Sequence, residues 1–244
     1  MERTEATYGT AALVFLLFLT SCLSTKGVSE SGMSQPSSEL KTALREHVKF
    51  LAGECPERRY TRPDEYRRAA RYIEKQFARM GLEAEREPVE AATRTFDNVY
   101  VEVEGQTRPD EIVVVGAHYD SPPGSPGADD NASGVGAVLE LARRLKDAEP
   151  DRTLRFVAFA NEEPPFFGTE NMGSYVHAAR ARKGDENIRL MISLEMLGYY
   201  REEKGTQDYP PLIGLFYPDR GNFIGVVSTW GNGRQVRDVA KRRE

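Results

Sequence analysis

The sequence predicts an α/β fold whose central strands run parallel in one open sheet. Three short apolar runs carry this prediction, because each has the length of a strand and is bounded by polar or turn residues. They cover residues 111–115, 154–160 and 190–194. β-Branched residues dominate the first run, which is typical of a strand that is buried on both faces.

Helices are predicted before and between these strands. Apolar residues at helical spacing indicate a first helix over residues 40–51, which Ser37 or Ser38 could cap. A second helix begins at Pro63, a favourable first-turn residue, and ends at Gly81. The other predicted elements are half-exposed strands at 82–89 and 96–103, a helix at 135–145, a helix from Gly168, two short strands at 212–216 and 222–227, and the first turns of a helix at 231–244.

The N-terminal residues resemble an export signal. Residues 11–19 are an unbroken apolar run, too short to span a bilayer but long enough for the core of such a signal. Residues 19–22, Leu-Thr-Ser-Cys, resemble the bacterial lipoprotein signal, in which the cysteine is lipidated and becomes the new N-terminus. Glu2 and Glu5 argue against this interpretation, because export signals begin with positive charge. A simple signal peptide and an unrelated cysteine are the alternatives.

We therefore expect a signal at residues 1–22, a flexible tether at 23–38 and one domain at 39–244. The mature protein would be exported and attached through lipid on Cys22 to the bacterial cell envelope. A net charge of −5 and the lack of a basic stripe argue against a nucleic-acid partner. Two cysteines are too few for a zinc knuckle or a disulfide framework.

Acidic side chains follow each of the three central strands. His118 and Asp120 follow the first strand, with an acidic turn containing Asp130 about ten residues later. Glu162 and Glu163 follow the second strand, and the third leads into a further carboxylate, Glu195. Because the carboxyl ends of parallel strands meet at one edge of a sheet, these side chains should converge there. One imidazole among so many carboxylates requires bound cations.

The residue types at this edge favour a zinc site. Zinc binds His nitrogen and carboxylate oxygen, and a bridging carboxylate such as Asp130 lets two ions approach each other. Asp120, two residues from His118, suits the role of orienting the imidazole. In the Glu162–Glu163 pair, one carboxylate can hold metal while the other acts as general base.

Four motifs resemble those of the co-catalytic dizinc aminopeptidases, a family with bacterial leucyl aminopeptidases among its members and with glutamate carboxypeptidases and glutaminyl cyclases as relatives. The motifs are GAHYDS at 116–121, GADDNASG at 127–134, EE at 162–163 and SLEMLG at 193–198. The resemblance covers roughly residues 40–230. It implies a three-layer α/β/α fold with a mixed, mostly parallel sheet, and two zinc ions.

Carried over by position, the resemblance implies a role for each residue of the cluster. His118 and Glu163 would bind one zinc, Asp130 would bridge, Glu195 would bind the second zinc, and Glu162 would be the general base. Glu195 stands where the family usually has aspartate, so it could instead be a structural acid bonded to backbone amides. The acidic turn at 129–131 could likewise be a helix cap.

The histidines depart further from the family pattern. The family has a fifth ligand, a histidine near the C-terminus, whereas this chain offers only His47 and His177 besides His118. Neither is expected to ligate, because a lone histidine on a helix is usually a surface or packing residue. We therefore expect the sequence to be incomplete at its C-terminus.

The leading functional hypothesis is a zinc-dependent exopeptidase of the aminopeptidase type, acting on peptides. An acyl transferase resembling the glutaminyl cyclases, with one zinc, is the first alternative. A non-catalytic anchored binding domain of the same fold is the second.

Overall fold

The computed structural model describes residues 37–209, 213–215, 217–233 and 236. The predicted signal and nearly all of the tether lie outside these residues. The described residues divide into two compact units, the first ending at Tyr199 and the second beginning at Tyr200. In the described part of the chain, no helix has both the length and the apolar character needed to cross a membrane.

The first unit contains four α-helices and one five-stranded sheet. In chain order they are α1 (Ser38–Lys49), α2 (Pro63–Arg79), β1 (Glu85–Ala91), β2 (Arg94–Val103), β3 (Arg108–His118), α3 (Gly134–Leu145), β4 (Arg152–Phe159), α4 (Gly173–Lys183) and β5 (Asn187–Ser193). Ser37 caps α1, since its hydroxyl accepts a hydrogen bond from the Leu40 amide at 3.1 Å. A turn of π helix at Phe50–Glu54 follows α1, and another at Ala128–Ser133 precedes α3.

The sheet is mixed, with the strand order β1-β2-β4-β3-β5. Strand β3 pairs in parallel with both β4 and β5, whereas β2 is antiparallel to β4 and to β1. His118 lies beside Phe159 of β4, and Gly116 lies beside Ser193 of β5. The carboxyl ends of the three parallel strands therefore meet at one edge, as predicted.

Helices cover both faces of this sheet. On one face, α1, α2 and α3 enclose the main core, to which β4 contributes Phe156 and Ala158. Alternate residues of β4, Val157 and Phe159, point to the other face. Helix α4 packs on that face, where the His177 ring meets the Phe159 ring edge-on at 5.7 Å between centroids. The α/β/α layering is confirmed.

Three predicted elements differ from the structure. The helix expected from Gly168 begins at Gly173, because Gly168 has a left-handed backbone conformation (φ 75°) that an α-helix does not contain. In the second unit, Ile213–Leu215 is one turn of 3₁₀ helix, and the described residues 222–227 form no strand. An apolar run becomes a strand only where a neighbouring backbone pairs with it. Most of the helix predicted at 231–244 lies outside the described residues.

Candidate metal centre

His118 lies at the centre of a cluster of carboxylates at the end of β3. Its side chain is buried, with 8% of its surface exposed. Its Nε2 is 3.2 Å from Asp130 Oδ1, 3.4 Å from Glu195 Oε2 and 3.9 Å from Glu163 Oε1. Residues from three strand ends and one turn therefore converge, as predicted.

One set of three side chains could hold a metal ion. His118, Asp130 and Glu195 each offer a donor atom, and the three atoms lie within 4.8 Å of one another. This grouping differs from the expected distribution, in which Glu163 shared an ion with His118 and Glu195 belonged to the other. Glu195 lies in the loop after β5, the neighbour of β3, and its Oε2 is 3.4 Å from His118 Nε2.

Two buried atoms of the cluster have no hydrogen-bond partner among the residues that the structure describes. They are His118 Nδ1 and Asp130 Oδ1. Asp120 Oδ1 approaches His118 Nδ1 to 3.3 Å, and Asp130 Oδ1 lies 3.2 Å from His118 Nε2. Leaving buried polar atoms unpaired costs on the order of 1–3 kcal/mol each, so the arrangement favours a ligand that satisfies them.

The negative charge of the cluster raises the pKa values of His118 and Glu163. Burial lowers the pKa of His118, but the nearby carboxylates of Asp120, Asp130 and Glu195 stabilise the protonated ring, outweigh the effect of burial and raise that pKa to about 12. Burial, followed by the charge of Asp130, raises the pKa of Glu163 to about 7. In the metal-free protein a proton on His118 thus offsets part of the charge that a cation would neutralise.

Asp120 fixes the loop that carries the two adjacent glutamates. Its carboxylate oxygens accept hydrogen bonds from the backbone amides of Glu162 at 3.1 Å and Glu163 at 2.9 Å. The same carboxylate lies beside His118 Nδ1. Asp120 therefore links the ends of β3 and β4, and its predicted role in orienting the imidazole agrees with this position.

Glu162 points to the start of α4, whereas Glu163 points to the cluster. Glu162 Oε1 accepts a hydrogen bond from the Ser174 amide, and Glu162 Oε2 accepts one from the Ser174 hydroxyl, each at 2.7 Å. Burial raises the pKa of Glu162, and the two bonds from Ser174 oppose that rise. Its role as general base stays a prediction.

Asn131 positions Glu195, and sequence reasoning missed it. Its Nδ2 donates to Leu194 O at 2.9 Å and to Glu195 Oε2 at 3.0 Å, and its Oδ1 accepts from the Gly134 amide. The fully buried Asn131 side chain thus connects the acidic turn to the end of β5. Glu195 is held by a side-chain amide and faces His118, which disagrees with the alternative of an acid bonded to backbone amides.

Arg58 is the second residue that sequence reasoning missed. It is completely buried, and its guanidinium donates to the carbonyl oxygens of Tyr119 at 2.7 Å, Pro126 at 2.9 Å and Gly127 at 2.8 Å. These carbonyls belong to the loops that carry His118 and Asp130. An arginine in an irregular basic segment carries no local signal of such a role, because its acceptors are backbone atoms distant in the sequence.

The other two histidines lie outside the cluster, as expected. His47 contacts Tyr72 and Glu140 on α2 and α3. His177 of α4 contacts Glu87 and Arg155, which lie on β1 and β4.

The cluster fits zinc by its donor types and by its unpaired atoms. Zinc takes imidazole nitrogen and carboxylate oxygen, and three protein donors leave a position for water or substrate. His118, Asp130 and Glu195 supply such a set, and the nearby Glu163 adds a carboxylate for which Asp130 could be the bridge.

Comparison with known proteins agrees with this geometry. The sequence pattern of peptidase family M28 matches residues 98–216. Uncharacterized protein YfbL of Escherichia coli K12 is 38% identical over 215 residues, which are 84% of this chain and 65% of YfbL. Aminopeptidase YwaD of Bacillus subtilis is 41% identical over 80 residues, 33% of this chain and 18% of YwaD. The chain thus spans less than two thirds of these relatives.

A solved structure supports the fold. The Zn-dependent exopeptidase of Parabacteroides distasonis superposes with a TM-score of 0.51 at 21% identity, covering 68% of this chain and 64% of that one. The resemblance predicted from the four motifs is confirmed: the family M28 pattern matches residues 98–216, which contain every residue of the cluster, and the fold resembles that of a solved Zn-dependent exopeptidase.

Proposed function

We propose that this protein is a zinc-dependent exopeptidase of the aminopeptidase type. The observation that carries the proposal is the cluster around His118, where four carboxylates approach one buried imidazole and two buried atoms have no hydrogen-bond partner within the described residues. The match to a peptidase family and the 41% identity to an aminopeptidase over 80 residues support the choice of reaction.

In this proposal His118, Asp130 and Glu195 would hold one zinc ion, and Asp130 and Glu163 would contribute to a second. Bound zinc supplies a Lewis acid that polarises the scissile carbonyl and lowers the pKa of water towards 7. Glu162 accepts the proton of the attacking water and passes it to the leaving amine. Asp120 holds the backbone of both glutamates, so that this geometry exists before substrate binds.

The assignment of Glu162 is tested by Glu162→Gln, which keeps the size of the side chain but cannot accept the proton. We expect kcat for hydrolysis of aminoacyl amides to fall by about 10²–10⁴-fold, with zinc affinity unchanged. The matched control is Glu170→Gln, since Glu170 lies in the same loop and is exposed, with Tyr175 as its hydrogen-bond partner. Equal rates for Glu162→Gln and the wild type would contradict the assignment.

A cyclase-like acyl transferase with one zinc is the second candidate. The observation that favours it is that only one set of three donors, His118, Asp130 and Glu195, was found in the described part of the chain. Zinc stoichiometry and product mass separate the two: two ions and free amino acids support the peptidase, whereas one ion and loss of ammonia from N-terminal glutamine support the cyclase. Absence of zinc from the purified protein would favour a non-catalytic domain.

We also propose export and lipid attachment at Cys22. Support comes from the apolar run at residues 11–19 and the Leu-Thr-Ser-Cys segment that follows it. Intact-mass measurement on the cellular protein should show a lipid-modified chain beginning at Cys22, and retention of Met1 would contradict this.

A further inference from the structure

Ser174 holds both oxygens of the Glu162 carboxylate. The Ser174 amide donates to Oε1 and the Ser174 hydroxyl donates to Oε2, each at 2.7 Å. One donor on each oxygen fixes the plane of the carboxylate, which a single hydrogen bond would leave free to rotate. Glu163, the next residue, has no such partner on α4 among the described residues and turns to His118 instead.

The position of Ser174 is itself fixed by the strands. The amide of Gly173 donates to Ala160 O at 2.7 Å, and its carbonyl accepts from Asn98 Nδ2 at 2.8 Å. A Cβ at Gly173 would lie 2.1 Å from Asn98 Oδ1, so only glycine allows the helix to start this close to β2. Asn98 is fully buried and also accepts from the Ala160 amide at 2.9 Å. Ser174 is therefore attached to the same strand end as Glu162.

The two bonds can be explained in two ways. A carboxylate at the start of α4 satisfies amide groups that the helix leaves unpaired, which would make Glu162 a cap for α4. Capping the helix requires only the bond from the Ser174 amide, because the Ser174 hydroxyl is not one of the unpaired backbone groups. The bond from the hydroxyl therefore fixes the Glu162 carboxylate and does not cap the helix.

We propose that Ser174 is a positioning residue for the reaction: its two hydrogen bonds fix the carboxylate of Glu162, the group that accepts the proton of the attacking water. This inference rests on the proposed function, in which Glu162 is the base. Fixing a reacting group in its productive geometry raises the rate of the chemical step, and small misplacements lower that rate steeply. Ser174 acts only through Glu162, so its effect must vanish when Glu162 can no longer accept a proton.

A double-mutant cycle tests this requirement. In the zinc-loaded protein, we expect Ser174→Ala to lower kcat by about tenfold with KM changed less than about twofold. Ser174→Thr, which restores a hydroxyl, should recover most of the lost kcat. In the Glu162→Gln background, Ser174→Ala should cause no further loss, because effects that act through one group do not add. An equal loss of kcat in both backgrounds would overturn the proposal.

Controls separate positioning from folding and from metal binding. Rates are expressed per bound zinc, and zinc affinity measured by chelator competition should stay within about twofold of wild type in Ser174→Ala, because Ser174 contacts no proposed ligand. Tyr175→Phe removes the neighbouring hydroxyl of α4, which bonds Glu170, and should leave kcat unchanged. If the alanine variant does not fold, Ser174→Cys replaces it, because a thiol is a weak donor.

Different results would overturn the role of Ser174 and the proposed peptidase function. Wild-type activity together with an unaffected Ser174→Ala variant would overturn the role of Ser174 alone. Absence of peptidase activity from the zinc-loaded wild type would overturn the proposed function and this inference with it.

Discussion

Two buried histidines of the first unit, His118 and His177, have very different surroundings. His177 on α4 has Nδ1 2.9 Å from Glu87 and Nε2 3.3 Å from Arg155. Glu87 is also paired with Arg180, and Arg155 with Glu186. Acids and bases alternate through this network, so its charges compensate one another.

His118, by contrast, has only acids around it. Four carboxylates lie within 3.9 Å of its ring nitrogens, and in the described residues none of the four forms an ion pair with lysine or arginine. The nearest buried arginine, Arg58, uses its guanidinium on backbone carbonyl oxygens.

This difference distinguishes a structural ion network from a metal site. Buried charges persist only when they are paired or bind metal. The His177 network meets the first condition within the protein, and the His118 cluster does not. We predict that substitutions in the His177 network lower stability and leave zinc binding intact. Substitutions in the His118 cluster should weaken zinc binding and leave stability intact.

Asp130→Ala should have the largest effect on metal binding. Asp130 is the proposed bridge between two ions, so its loss should weaken zinc binding by more than the roughly 10–100-fold that follows loss of a partner behind a ligand. Chelator competition measures the affinity. The matched control is Asp129→Ala in the same turn, whose carboxylate bonds the Gly198 amide and not His118. Equal zinc affinity in Asp130→Ala and the wild type would remove the ligand assignment.

Glu87→Gln should break the other region. Glu87 is 2% exposed and faces His177, Arg180 and Asn98. Breaking a buried ion network by removing one partner costs about 3–5 kcal/mol, which urea denaturation of the zinc-free protein would measure. Zinc affinity per folded molecule should not change. A Glu87→Gln protein with unchanged stability and weaker zinc binding would reverse the distinction between the two regions.

The smallest expected effect is a change of slope in the pH dependence of zinc binding. Ligands must lose their protons to bind metal, and the pKa of His118 is raised to about 12 and that of Glu163 to about 7. Zinc should therefore displace about two protons below pH 7 and about one above it, each worth about tenfold in affinity per pH unit. A dissociation constant independent of pH would contradict this.

The raised pKa of Glu163 also predicts how the stability of the zinc-free protein depends on pH. Because the pKa of Glu163 is raised from 4.5 to about 7, the folded state binds this proton more tightly than the unfolded state. Its contribution to the free energy of unfolding is complete below about pH 4.5 and is lost as pH rises through 7. Urea denaturation across this range, with Glu163→Gln as the control that removes the titration, measures the loss.

Part of this account could be predicted from sequence because the ligand residues directly follow buried strands. An apolar run followed by His118 or Glu163 predicts both a buried strand and a polar side chain at the end of that strand. Parallel pairing of β3, β4 and β5 then brings those ends together. Glu195 was predicted as a site residue, but its distance of 3.4 Å from His118 could not be predicted, because sequence does not give the reach of a side chain from a loop.

The supporting residues could not be predicted, since they act through contacts distant in the chain. Arg58 bonds carbonyls about 60–70 positions away, and Asn131 reaches Leu194 and Glu195. Ser174 meets Glu162 only because α4 starts at Gly173, five residues later than its sequence suggested. Backbone carbonyls have no sequence signature, so a partner that binds them is visible only in the folded chain.

The most direct test of the central claim is a crystal structure of the zinc-loaded protein with anomalous diffraction at the zinc edge. If the carboxylates around His118 hold a cation, we expect an anomalous peak within bonding distance of His118, Asp130 and Glu195, and none beside His177. Ordered density at His118 with no anomalous peak, and its imidazole bonded only to carboxylates, would contradict the claim.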